Sequence, residues 1–263
     1  MNGQKGFSLL FIFVTMLVMG LLLGFIGAGG SGFIIAMLAS VFGIPVHTAL
    51  GTSLAAMVFT SLSGTYSHFK ENNVLMRVGL ATGLFGAAGA FVGSRIANLV
   101  PGSKLESLTA FMLFFSAGLL WLRLFTKFGQ FWANAGAQTV PAGSRFWMAA
   151  GGVGLATGIL SGLFGVGASP FIQIGLLFFF GLSVRQSAGT TLLVILPIAA
   201  VGGFGYYTTG HLDILLFIKV VAGTMIGSYI GAKFTARLHP TVLKTTLVAV
   251  PVAGGLLLLF GGE

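Results

Sequence analysis

Apolar runs long enough to cross a bilayer recur along this chain, broken by short clusters of turn residues and charges. They fall at about 7–26, 30–43, 48–69, 74–96 and 105–125, and again at about 146–163, 168–181, 186–207, 212–234 and 241–260. The second run of each set is the short one. At 1.5 Å per residue it reaches only ~21 Å, against a hydrocarbon core of ~30 Å. Residues 126–145, with Lys127, Asn134, Gln138, Pro141 and Arg145, separate the sets. The pattern predicts an all-α integral membrane protein. It has a first transmembrane repeat over 1–125, a cytoplasmic linker over 126–145 and a second repeat over 146–263.

The two sets share more than their rhythm. The run GFIGAGGSGFI from Gly24 recurs as GLFGVGASPFI from Gly162, an offset of 138 residues (162 − 24). Without a gap, the same offset pairs Gly43 with Gly181, Gly51 with Gly189, Gly64 with Gly202, Gly89 with Gly227 and Gly93 with Gly231. It also pairs Ser31 with Ser169, Thr52 with Thr190 and Leu54 with Leu192. Internal duplication in a membrane protein points toward a transporter.

Composition narrows the class. The chain is 56% hydrophobic and 6% charged, where a soluble domain is about a quarter charged. Forty-two glycines suit helices packed backbone to backbone in lipid. Cysteine is absent, which removes disulfides, thiolate catalysis and thiolate-bound metals. The net charge of +9 is scattered over the connections, so it reads as a topology signal and not as a nucleic-acid surface. No nucleotide-binding loop, nucleophile–base pair or metal-ligand spacing stands out, so neither an enzyme nor a cofactor is expected. Glu71, Glu106, Asp213 and Glu263 are the only acidic residues, all at predicted helix ends or in connections. The buried carboxylate relay of a proton pump is therefore missing, and a coupling ion, H+ or Na+, is left open.

The short segments decide the architecture. If they are re-entrant, the copies are parallel with four crossings each, and the connections divide Lys and Arg six against six. If they cross, the copies are inverted with five crossings each. Lys5, Arg95 and Lys104 then lie on one side, against nine on the other: Lys70, Arg77, Arg123, Lys127, Arg145, Arg185, Lys233, Arg237 and Lys244. Lys219 falls inside a segment and enters neither count. An excess of Lys and Arg marks the cytoplasmic side, so inverted 5+5 is favoured over parallel 4+4, with both termini outside. Residues 7–26 are read as a transmembrane helix and not as a signal peptide.

Candidate chemistry sits at the repeated turns. GAGGSG at 27–32 and GVGASP at 165–170 each sit between a long helix and the short one, with Ser31 and Pro170 suited to the first turn of the latter. A helix start exposes unpaired N–H groups and partial positive charge, so two facing starts would cradle one small anion. Gly27, Gly29, Gly30, Ser31, Gly165, Gly167 and Ser169 are the candidate ligands there. Gly51, Thr52 and Ser53, matched by Gly189, Thr190 and Thr191, add hydroxyl donors; the plainer reading is hydrogen bonding between helices. His47 and Arg185 are repeat mates. Arg185, with Gln186 beside it, either draws in an anion or marks topology. Lys219, inside its segment, lines a cavity or snorkels to the interface.

The ordered, duplicated set of a glycine-rich turn after the first helix and a GTS start to a later one resembles the TauE/SafE family. The resemblance carries Gly27, Gly29, Gly30, Gly51 and Thr52 in one copy, and Gly165, Gly167, Gly189 and Thr190 in the other. Ala168 replaces Gly30 and Pro170 replaces Gly32, so the halves need not hold a substrate symmetrically. The resemblance implies a permease or exporter in a prokaryotic inner membrane, carrying a small anion such as sulfite, thiosulfate, an organosulfonate or a carboxylate. The expected mechanism is alternating access around the two helix starts. An anion channel and a non-transporting membrane scaffold subunit are the alternatives.

Overall fold

A computed structural model describes residues 11–21, 31–126, 140–235 and 240–261. Among them every regular element is helical. In the first half these are α1 (Phe11–Leu21), α2 (Ser31–Ala36, continued by a π-helical turn over Met37–Val41), α3 (Val46–Lys70), α4 (Met76–Ala97) and α5 (Gly102–Phe125). In the second they are α6 (Gly143–Phe164), α7 (Ser169–Phe180), α8 (Val184–Thr208), α9 (Ile214–Thr235) and α10 (Pro240–Phe260). The helix starts keep the offset of the repeat: Ser31 with Ser169, Val46 with Val184, Met76 with Ile214 and Gly102 with Pro240. Among the described residues five helices, α3, α4, α5, α6 and α8, are long and apolar enough to cross a membrane. Large apolar side chains such as Leu84, Phe111 and Met148 stand exposed on the outside of the bundle. That is the surface expected of a protein solvated by lipid, and the chain is an integral membrane protein.

Local chemistry sets where the short helices begin and end. α6 stops at Gly165, whose left-handed φ of +62° lets its N–H reach back to Ser161 O at 2.8 Å. α7 opens with Pro170 in its first turn and stops at Gly181, again at φ +62°. Gly43, the mate of Gly181, follows the π-helical turn with the same φ. α8 starts on a capping box: Gln186 N–H donates to Ser183 Oγ and Ser183 N–H to Gln186 Oε1.

No hydrophobic force brings apolar helices together in lipid, so close backbone approach has to do so. α4 and α6 lie side by side in the same direction, with Thr82 against Gly154, Gly86 against Gly158 and Ala90 against Gly162. The matching seam joins α9 to α1, where Gly20 meets Thr224 and Gly227 meets Leu21. α3 and α8 pass antiparallel, with Gly51 beside Tyr206, Leu54 beside Gly202 and Gly64 beside Leu192. α5 packs on α10. The two halves are thus interlaced.

Side-chain contacts define two ends of the bundle. At the linker end Arg77 lies over Phe146, which meets Phe180, and Leu75 N–H donates to Thr190 Oγ1 at 3.1 Å. At the far end the His47 ring bonds Ala97 O and Val100 O, and lies 5.0 Å from the His211 ring.

Candidate functional site

The starts of the two short helices touch. Gly167 N–H donates to Ser31 Oγ at 3.3 Å, and Ser53 Oγ–H donates to Ser31 O at 2.9 Å. One buried network therefore joins both halves. Its depth follows from helix lengths. α7 has 12 residues and spans ~18 Å, while α6 has 22 and spans ~33 Å. Arg145 near the start of α6 and Gly181 at the end of α7 line one surface cleft, so both helices reach the linker end. The start of α7 accordingly lies ~18 Å below that end, within a core of ~30 Å.

A cavity of about 300 Å³ rises from this point toward the linker end. Its floor is Gly32 and the run from Gly167 to Pro170; its walls include Gln173 of α7, Thr191 of α8 and Val250 and Pro251 of α10. One face of α5 completes it, with Leu113, Ser116, Leu120 and Arg123 at successive turns, and His68 lies near the end of α3. The polar groups are hydroxyls, an amide, an imidazole, a guanidinium and the N-terminus of a 12-residue helix. Such a set offers the hydrogen-bond donors and positive charge that an anion requires. Ala168 takes a left-handed φ of +46° where the other copy has Gly30, a conformation costing an L side chain about 1–2 kcal/mol. Backbone strain of this kind gathers at functional sites. Thr191 is 1% exposed and its Oγ1 has no partner among the described residues.

Ser31, Ser53, Gly167, Ser169 and Thr191 therefore gather at the cavity or directly beneath it. Gly27, Gly29 and Gly30 lie outside the described residues. Thr52 is buried with no partner for its hydroxyl among the described residues, but it does not line the cavity. Gly51, Gly165 and Gly189 allow close packing against Tyr206, Leu50 and Asn73. Thr190 holds the start of α4, His47 holds its end, and Gln186 caps α8. Arg185 is exposed at the start of α8, and Lys219 is half-buried in α9 away from the cavity. Sequence reasoning passed over His68, Gln173, Ser116 and Arg123 as site residues. The signal for the last two was the spacing Leu113, Ser116, Leu120, Arg123, which puts them on one helical face with an otherwise apolar stripe.

The family model described as "Sulfite exporter TauE/SafE" matches residues 12–258. The chain belongs to the TauE/SafE family. Among relatives, it is 50% identical over 249 residues to "Probable membrane transporter protein YdhB" of Bacillus subtilis (strain 168), covering 95% of this chain and 99% of that protein. It is 29% identical to a "Probable membrane transporter protein" of Xylella fastidiosa (strain 9a5c), covering 90% of each. A 24% match to "Probable membrane transporter protein MJ0441" of Methanocaldococcus jannaschii covers 96% of this chain and 97% of that one. No solved structure matches. The TauE/SafE chain is a membrane transporter.

Proposed function

We propose that the protein carries a small anion by alternating access, as a secondary transporter built from two inverted five-helix repeats in a prokaryotic inner membrane. The observation that carries this reading is a cavity toward the linker end, four of whose lining residues have fully buried repeat mates toward the other end. Gln173, Ala188, Leu192 and His68 line the cavity; the offset of the repeat takes them to Ile35, Leu50, Leu54 and Tyr206, all 0% exposed. An inverted repeat that exchanges these two conformations between its halves closes one end as it opens the other. A channel would want both ends open at once.

The directions of the helices support inversion. α3 and α8 are repeat mates and run antiparallel. α4 and α8 run parallel, with Gly79 beside Leu193 and Gly86 beside Ile198, as five crossings per copy require and four do not. Lys70, Arg77, Arg123, Arg145 and Arg185 fall at the linker end, which makes that end cytoplasmic. The cavity is then open inward, and both termini lie outside.

Reconstitution tests this. Proteoliposomes should show saturable uptake of at least one labelled anion among sulfite, thiosulfate, a sulfonate and a carboxylate, with counterflow when the same anion is preloaded. Flux that never saturates and shows no counterflow would assign the channel instead.

A further inference from the structure

We propose that Arg123 is the counter-charge that captures the transported anion at the linker end and passes it to Thr191 and the start of α7; this rests on the transporter reading above. Arg123 counts as one more topology charge in the sequence, but its surroundings differ from those of its neighbours. At the same end Lys70 and Arg77 each lie over an aromatic ring, and Arg145 and Arg185 are exposed. Arg123 is half-buried, lines the cavity, and has no ring contact, hydrogen bond or ion pair among the described residues. No carboxylate lines the cavity either. Glu71 is close by, but it stands 4.0 Å from His68 Nδ1 with its side chain 63% exposed, outside the lining.

A partly desolvated guanidinium without an anion is unfavourable in a membrane helix. An anion entering from the linker end relieves that. On the helix, Arg123 is ten residues beyond Leu113, which touches Gly32 at the floor, so its Cα stands ~15 Å above it. Helical side chains lean back toward the N-terminus, which aims Arg123 down the cavity. Thr191 supplies a buried hydroxyl without a partner on the facing wall, beside the N–H groups of the α7 start. The two groups suit an oxyanion with at least two oxygens free, because the guanidinium fork donates two parallel hydrogen bonds. A halide offers a single acceptor centre, so the two N–H groups must converge on it and the parallel pair is lost. The repeat mate of Arg123 is Gly261, so the far end has no equivalent cation.

The test is transport of labelled sulfite, thiosulfate, an organosulfonate and a carboxylate by the full chain in proteoliposomes. Arg123→Gln should raise KM for the oxyanions about 10- to 100-fold, the scale of a lost charge-assisted hydrogen-bond pair. Arg123→Lys should fall between it and wild type, since it keeps the charge without the fork. Arg145→Gln, at the same end but outside this cavity, should stay within about twofold. The chain has no cysteine, so Arg123→Cys can be given back a positive charge without the fork by a methanethiosulfonate ammonium reagent, and uptake should recover to about the level of Arg123→Lys. An Arg123→Gln KM within twofold of wild type overturns the assignment, as does an equal loss in Arg145→Gln or a Cys variant that the reagent does not rescue. If wild type moves none of the anions, the transporter reading fails and this one falls with it. If wild type transports and Arg123→Gln matches it, only the role of Arg123 is lost.

Discussion

On the proposed alternating-access reading, Tyr206 is the place to perturb the packed far end. Its ring is fully buried beside Gly51, and its hydroxyl donates to Gly162 O at 2.9 Å, with Leu163 O at 3.5 Å. Those carbonyls belong to the last turn of α6, where a helix lacks donors of its own. Tyr206→Phe keeps the ring and removes the one donor. Leaving a buried acceptor unpaired costs about 1–3 kcal/mol, and opening the end would let water satisfy it. The balance should therefore shift toward the far-end-open form by about 5- to 150-fold. The assay is labelling of Leu50→Cys by a membrane-impermeant maleimide applied from the far side, on a chain with no other cysteine. Labelling should accelerate by that factor in the Tyr206→Phe background and stay unchanged with Tyr207→Phe, whose ring is exposed. Equal rates in both backgrounds would refute the placement of a gate at Tyr206.

Two further outcomes follow from packing and charge. A Cβ added at Gly158 would collide with Gly86 O and come within 2.8 Å of Gly86 Cα, whereas one added at Gly151 on the same helix meets nothing within 4 Å. Gly158→Ala should lower the apparent unfolding midpoint in detergent, by about 1–3 kcal/mol of overpacking, while Gly151→Ala should hold or raise it through helix propensity; the same sign for both would count against the seam. Burial, and then the neighbouring His47, lower the pKa of His211, which also faces Thr209 and lies near Asp213. The folded chain then binds fewer protons there than the unfolded chain, so stability is full above the usual histidine value of about 6.5 and falls as pH drops through it toward the lowered pKa. Unfolding midpoints at pH 7.5 and 5.5 should differ in that direction in wild type and less in His211→Gln.

Much of the fold was legible because the membrane imposes length and the duplication imposes register. The helix starts at Ser31 and Ser169 stand where the glycine turns put them, and the GTS and GTT runs sit in the second turns of α3 and α8. The site was legible only in part. Thr190 and Thr191 are adjacent and look alike in sequence, but on a helix they point about 100° apart. One ties down α4 and the other faces the cavity. His47 and Arg185 occupy equivalent positions yet serve a helix end and an exposed surface. Arg123 was hidden because a cation near a helix end is normally a topology mark, and only the packing of α5 against α10 shows which way that face turns.

The interlacing of the halves bears on how the chain is made. α4 has its main neighbours in α6 and α8, and α1 finds its glycine seam in α9. Helices leaving the ribosome first must wait in the bilayer without native partners while the second half is synthesised, on the order of ten seconds at usual elongation rates. During that interval the small-residue faces of α1 and α4 are open to lipid, to each other and to neighbouring nascent chains. Membrane quality control thus meets this protein with its seams exposed, and truncation after α5 leaves them so permanently.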